Sequence, residues 1–539
     1  MNKINRVAIG IALAMAATAA RAEFSYFHQW TFQHTALNGS SSMGSEIVSY
    51  DSVNDRLWVI GTDANGANLG KGGIDVLSMT GTLLHSIDTQ SLGGINSVAV
   101  TNGQAAVALT APTKTAPGMV RFYNANNYSI LSTVTVGASP DAVTYTPDGS
   151  RLLVANEGEP SSYLVGPTGD PEGSVSIIDS SNFGVQTADF TAFNAQAAAL
   201  KAAGVRLTGP NATVAQDVEP EYIAVSADGS TAFATLQEAN SVAVIDIASA
   251  TVTAIKAMGM KDHSLLGNGL DVSDRDGTGN NPRDGNILNW NVKGMYMPDG
   301  IAGFTSGGSQ YYVTANEGDS RADWPGGNDE VRVGSAVIDP ALNTLLNAAH
   351  GTDWKTNNDK LNRLVVSTSG DTDGDGDLDE LQVFGARSFS ILDANGNMIF
   401  DSGDQIEQII AAKFLSNPDL WDDTRSDNKG PEPEGAVVGD VDGRRLLFLG
   451  LERSNAIMVW DLTDLLNVQY LDMMYTAGDV SPEGLSFFSN AQGSFLAVAN
   501  EVSGTTTLYR VSAVPVPAAA WLFGTALVGL VGLGRRRRV

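Results

Sequence analysis

The chain has 539 residues, 43% of them hydrophobic, with 58 glycines, no cysteine and a formal charge of −28. That length supports a large packed core, and glycines in short turn-like clusters favour many hairpins over long helices. The negative balance excludes nucleic acid and anionic membrane surfaces as natural partners, and the lack of cysteine excludes disulfides and thiol catalysis.

Residues 1–22 combine a basic start (Lys3, Arg6), an apolar run from Val7 to Ala19, and Ala20-Arg21-Ala22 before Glu23. This reads as a secretory signal peptide cleaved after Ala22, its apolar run being short for a membrane anchor. At the other end, residues 513–539 hold Val514-Pro515-Val516-Pro517, an apolar run from Ala518 to Gly534, and Arg535 to Arg538. A transmembrane helix at the lower limit of length is predicted, with its arginines cytoplasmic. This tail resembles the PEP-CTERM class of bacterial sorting signals in its Val-Pro-x-Pro-Ala variant, an ordinary C-terminal anchor being the alternative. The resemblance implies a Gram-negative source and removal of the tail by an exosortase-type enzyme. Without both ends, 25 basic residues face 60 acidic ones, a formal charge of −35. Such a field favours cations, and bound metal is an available substitute for disulfides in an exported chain.

Between these ends, over residues 23–512, strands rich in Val, Ile, Phe and Tyr recur with Asp-Gly or Asn-Gly turns. The fullest repeat runs from Met297-Pro298-Asp299-Gly300-Ile301 through a Gly-rich turn to Tyr311-Tyr312-Val313-Thr314-Ala315-Asn316-Glu317-Gly318-Asp319. Seven such modules align, their first strands opening at Glu46, Asn96, Asp141, Glu221, Asp299, Glu434 and Glu483. The expected fold is all-β, a seven-bladed β-propeller with one module per blade. No fourth strand follows Tyr509 in the seventh module, whereas Phe24 to Phe32 alternates like a strand, so the N-terminal segment is expected to close the last blade. Short helical insertions are expected at residues 193–205, 336–349 and 405–414, and the longest insertion lies between Asp319 and Arg387.

In a propeller, first strands start and second strands end on one face. That geometry gathers Glu46, Asp141, Glu221, Asp299, Glu434 and Glu483 with the second-strand ends Glu157, Glu238, Glu317, Glu452 and Glu501. Glu159 and Asp319 add a second acid across a Gly turn, in Asn156-Glu157-Gly158-Glu159 and Asn316-Glu317-Gly318-Asp319. Crowded carboxylates raise one another's pKa unless a cation neutralises them, and all-oxygen ligands favour calcium or magnesium, with manganese or iron as further candidates and room for a second divalent metal. The plainer alternative is that each acid caps its own strand end.

A second metal site is read from Asp371-Thr372-Asp373-Gly374-Asp375-Gly376-Asp377-Leu378-Asp379-Glu380. Carboxylates at positions 1, 3, 5, 7 and 9 with Gly at 6 match a calcium loop, although Gln382 stands where an EF-hand has Glu. Leu270-Asp271-Val272-Ser273-Asp274-Arg275-Asp276-Gly277 is a similar run, for which an ordinary polar loop serves equally well. The five histidines lack metal-ligand spacing, and no Gly-x-Ser-x-Gly elbow occurs. Arg321, Arg387 and Lys429 lie near the acidic tips in sequence, positioned either to receive a phosphate oxygen or to pair with the acids.

With Asn316-Glu317-Gly318-Asp319-Ser320-Arg321-Ala322-Asp323-Trp324, Gly385-Ala386-Arg387-Ser388-Phe389-Ser390-Ile391 and Pro433-Glu434-Gly435 in view, residues 45–510 resemble the choice-of-anchor I domain family. These are bacterial surface propellers carrying varied sorting tails, similar to animal mesenchyme-specific cell-surface glycoproteins and more distantly to calcium-dependent propeller phosphatases and phytases. The resemblance implies an exported, surface- or matrix-associated metal-binding propeller whose loops hold a protein or polysaccharide partner. The alternative is a metal-dependent phosphomonoesterase or phosphodiesterase using Arg321 or Arg387, with a lactonase-like hydrolase third. Trp324 and Tyr163 are the aromatics nearest the acidic loops, available for a partner or for packing those loops down.

Overall fold

The computed structural model describes residues 23–35, 43–62, 72–162, 169–276, 285–323, 328–414 and 416–514. The expected signal peptide, the expected sorting tail beyond Val514, Tyr163 and Trp324 lie outside the described residues. No helix among those described is long and apolar enough to cross a membrane.

The described chain forms seven four-stranded antiparallel sheets. Sheets I to VI span residues 48–88, 94–138, 140–189, 220–257, 301–401 and 433–474, and sheet VII combines residues 482–514 with Glu23–Gln33. The first hairpins of sheets III, IV and VI turn where the sequence supplies a residue tolerant of positive φ, at Gly149, Gly229 and Asp442. The first strand of each sheet packs on that of the next, from I through VII and back from Pro482–Asn490 to Val48–Asp51. The result is a closed, propeller-like all-β array.

The Pro-Asp/Glu-Gly opening explains this close approach. A Cβ built on Gly300 would meet the Glu434 carbonyl oxygen at 2.2 Å, and Gly435 and Gly484 stand the same way towards Glu483 and Glu46, each at 2.1 Å. Only glycine lets these strand ends touch. Side chains continue the seam elsewhere, where Asn96 donates from Nδ2 to the Pro140 carbonyl at 3.1 Å and Thr144 Oγ1 donates to the Ile223 carbonyl at 3.1 Å.

Between sheets the core is apolar, with Trp58, Trp460, Phe233 and Phe389 fully enclosed. Glu23–Gln33 pairs antiparallel with Thr505–Val514, so the N-terminal segment does close sheet VII. That last strand reaches two residues past the boundary expected at 512, because Val514 still pairs with Glu23. The Trp30 indole donates to the Met79 carbonyl at 2.9 Å, tying this strand to sheet I.

The expected helices occur at Ala197–Ala202, Pro340–His350 and Gln405–Phe414. A side unit departs from the repeat. Met260–Asp262 pairs with Lys293–Met295, which pairs in parallel with Gln382–Val383, and Glu330–Arg332 pairs with Val365–Ser367. Leu270, Trp290, Trp354 and Leu364 are buried in its separate core. Two insertions, flanking sheet V's first strand and following its second, thus fold into one body.

Candidate metal centre

The first-strand carboxylates converge. Asp141, Glu157 and Glu221 each bring an oxygen within 4.8 Å of the other two, and so do Asp299, Glu317 and Glu434. Glu317 also joins Glu432 and Glu452 in a third trio of the same kind. Two carboxylates at that separation repel by ~3.5 kcal/mol or more at an effective dielectric of about 20.

Burial is the largest force on these groups, and their neighbours add to it. Glu46 and Asp141 are each pushed up to about 7, Glu46 despite a hydroxyl donated by Thr62 and with Glu501 and Asp141 repelling it. Glu157, Glu221, Glu238, Asp299, Glu434 and Glu483 are all held well above the carboxylate range, first by desolvation and then by neighbouring carboxylates. Glu483 feels Glu46, Asp299 and Asp141, which stand at the openings of three other sheets. The acids of the circle therefore share one electrostatic centre. The Tyr222 phenol lies among them, its pKa raised by burial and then by Asp299, Glu483, Asp141 and Glu434.

Cations compensate only part of this set. Lys429 Nζ sits 3.3 Å from Glu317 and 3.0 Å from Asp319, which hold its pKa up against burial. Arg453 pairs with Glu452 at 3.1 Å, which is nevertheless pushed by burial to about 8, and Lys114 pairs with Glu159. Among the described residues no ion pair reaches Asp141, Glu157, Glu221, Glu238, Asp299, Glu434 or Glu483. One oxygen each of Glu238, Glu434 and Glu483 is buried with no hydrogen-bond partner. An oxygen-only donor set of this kind suits a hard divalent cation.

Asn156, Asn316 and Asn500, which precede Glu157, Glu317 and Glu501, fix where those acids point. Asn316 Nδ2 donates to Ser388 Oγ and Ser390 Oγ at 3.1 and 2.9 Å, and Asn156 and Asn500 bond their own third strands in the same way. The repeated Asn-Glu pair was the available signal for this role. Glu432 carried no such signal; it is fully buried and draws Arg425, Arg453 and Lys429 together.

Neither arginine expected near phosphate faces the centre. Arg321, 3% exposed, binds Asp217 Oδ1 at 2.6 Å and Glu219 Oε2 at 2.7 Å. Arg387 binds Glu407 Oε1 at 2.7 Å and the carbonyls of Asp271, Ser426 and Asn428. The acids and carbonyls around each arginine engage its two Nη groups.

The calcium-like loop is exposed and held by its own backbone. Asp371 accepts from the Gly374 and Gly376 amides, Asp373 from Asp375, Asp375 from Asp377, and Asp379 from Thr372. The grouping found there is Asp377 and Asp379 with Asp339, which also caps the helix Pro340–His350. Asp339 was missed because only the tertiary bridge between Ile338 and Leu378 brings it near.

The profile of the choice-of-anchor I domain matches residues 46–465. The mesenchyme-specific cell surface glycoprotein of Strongylocentrotus purpuratus is 27% identical over 269 residues, 43% of this chain and 33% of the relative. Gigasin-3a of Magallana gigas is 32% identical over 127 residues, 22% of this chain and 45% of the relative. The matches thus span less than half the length of either relative. A chain of Kuenenia stuttgartiensis hydrazine synthase aligns over 87% of this chain and 96% of its own length, at 12% identity and a TM-score of 0.46. By the extent of the profile match, this chain belongs to the choice-of-anchor I domain family.

Proposed function

We propose that this protein is an exported, surface- or matrix-associated seven-bladed β-propeller that binds calcium or another hard divalent cation at its acidic centre and serves as a binding or adhesion module. Family membership and a relative named as a cell surface glycoprotein support the surface location. The observation that carries the metal is the trio Asp141, Glu157 and Glu221, together with the buried, partnerless oxygens of Glu434 and Glu483. A divalent ion would offset that repulsion and let the acids ionise near neutral pH. The tail would make the newly exported chain a substrate for an exosortase-type enzyme, leaving the propeller free to meet a polysaccharide or protein partner.

A metal-dependent phosphomonoesterase or phosphodiesterase is the second reading. It is favoured by the two trios that share Glu317, the arrangement a carboxylate bridging two ions would adopt. Lys429 is then the cation placed to meet phosphate, since Arg321 and Arg387 are enclosed elsewhere. Counting calcium in purified residues 23–514 by mass spectrometry, with p-nitrophenyl phosphate turnover before and after chelation, separates the readings. Bound ion without turnover supports the binding module; chelator-sensitive turnover abolished by Glu317→Gln supports the esterase; no bound ion overturns both.

A further inference from the structure

Away from the centre, three aspartates from two distant segments meet. Asp271 and Asp276 come from the insertion between sheets IV and V, and Asp423 comes from the loop before sheet VI; one oxygen of each lies within 4.8 Å of the other two. Asp271 is fully buried and Asp423 is 3% exposed. Neither forms an ion pair among the described residues. The nearby arginines are engaged, Arg363 and Arg275 with Asp274 and Arg387 with Glu407.

The geometry around the trio is built. Asp271 accepts amides from Ser273 at 3.3 Å and Asn286 at 3.1 Å, and its own carbonyl accepts from Arg387 at 2.7 Å. Asp423 Oδ1 accepts the Trp421 indole at 3.0 Å and the Ser426 hydroxyl at 3.4 Å. Asp423 Oδ2 is buried with no partner. A fixed acid with one satisfied oxygen and one orphaned oxygen, facing two further acids, is an incomplete coordination shell.

We infer that Asp271, Asp276 and Asp423 form a second cation site, selective for calcium or a similar hard divalent ion, that fastens the side unit to the sheet array. Three carboxylates supply the charge, and carbonyls or water complete the six to eight oxygens calcium takes. Burial, and then the neighbouring acids, raise the carboxyls of both Asp423 and Asp271 above the usual carboxylate range. This site does not depend on the acidic centre.

Trp421 gives the test a local reporter, since terbium substitutes for calcium and is sensitised by an adjacent indole. Purified residues 23–514 would be titrated with terbium under tryptophan excitation, and bound calcium counted after dialysis. Asp276→Asn and Asp423→Asn should each remove one calcium per chain and the sensitised emission. Trp421→Phe should remove the emission, and Glu221→Gln at the centre should leave the emission intact. An unchanged calcium count in Asp276→Asn, or emission that survives Trp421→Phe, overturns the proposal. Should Asp423→Asn fail to fold, Asp276→Asn and Trp421→Phe still decide it.

Discussion

The Glu46 carbonyl oxygen stands so near Gly484 that a Cβ there would come to 2.1 Å from it. This is the seam where the seventh sheet meets the first, and backbone atoms form both sides. Gly484→Ala should therefore destabilise the protein by ~3 kcal/mol or more, the upper end of overpacking effects, because no flexible side chain can yield. Urea unfolding followed by tryptophan fluorescence would show a lower midpoint. An unchanged midpoint would mean that the seam is looser than described.

The same closure depends on Glu23–Gln33. Without it Thr505–Val514 becomes a free edge strand of ten residues, apolar on one face. A chain starting at residue 36 should aggregate or melt well below the chain starting at 23, as light scattering on heating would show. Adding the 23–35 peptide in trans should recover part of the loss.

Arg321 is a structural cation in this account. Removing it strands Asp217 and Glu219, both nearly enclosed, so Arg321→Met should cost about 3–5 kcal/mol of stability. The double variant Arg321→Met with Glu219→Gln should recover part of that loss in chemical denaturation. Equal losses in the single and double variants would break the assigned coupling.

Acidity gives a signed prediction. Glu46 and Asp141 are held at about 7 and Glu452 at about 8, above their unfolded values, so the folded chain binds the extra protons. Metal-free protein should lose stability as pH rises from about 6.5 to 8. Asp148, Asp228 and Asp262 titrate near 2, and His263, held down to about 3 by burial, opposes this slope only below its ordinary 6.5. Calcium should reverse the trend, raising the melting temperature more at pH 8 than at pH 6.5. Scanning calorimetry at the two values, with calcium and with chelator, checks the sign.

The repeating strands and their acidic openings were legible because one Pro-Asp/Glu-Gly pattern serves both the close approach of neighbouring sheets and the convergence of their acids. The side unit was not, since Met260–Asp262, Lys293–Met295 and Gln382–Val383 are too short to show alternation and pair across long sequence gaps. Asp423 was hidden for a related reason. Nothing near it in sequence resembles a metal loop, and the two segments are drawn together by tertiary contacts: Arg387 gathers the carbonyls of Asp271, Ser426 and Asn428, and Arg363 pairs with Asp274 and Asp427. Arg321 sits beside acidic residues in sequence, yet its partners, Asp217 and Glu219, come from another part of the chain.

The function proposed for this chain turns on a cation held by the acidic centre. Crystals of residues 23–514 grown with calcium and soaked in terbium would give anomalous difference density at the ion. A peak among Asp141, Glu157 and Glu221, or among Asp299, Glu317 and Glu434, is the predicted result. Density there for water alone, at a pH where chelator does not alter stability, would contradict the account and leave the acids sharing protons instead.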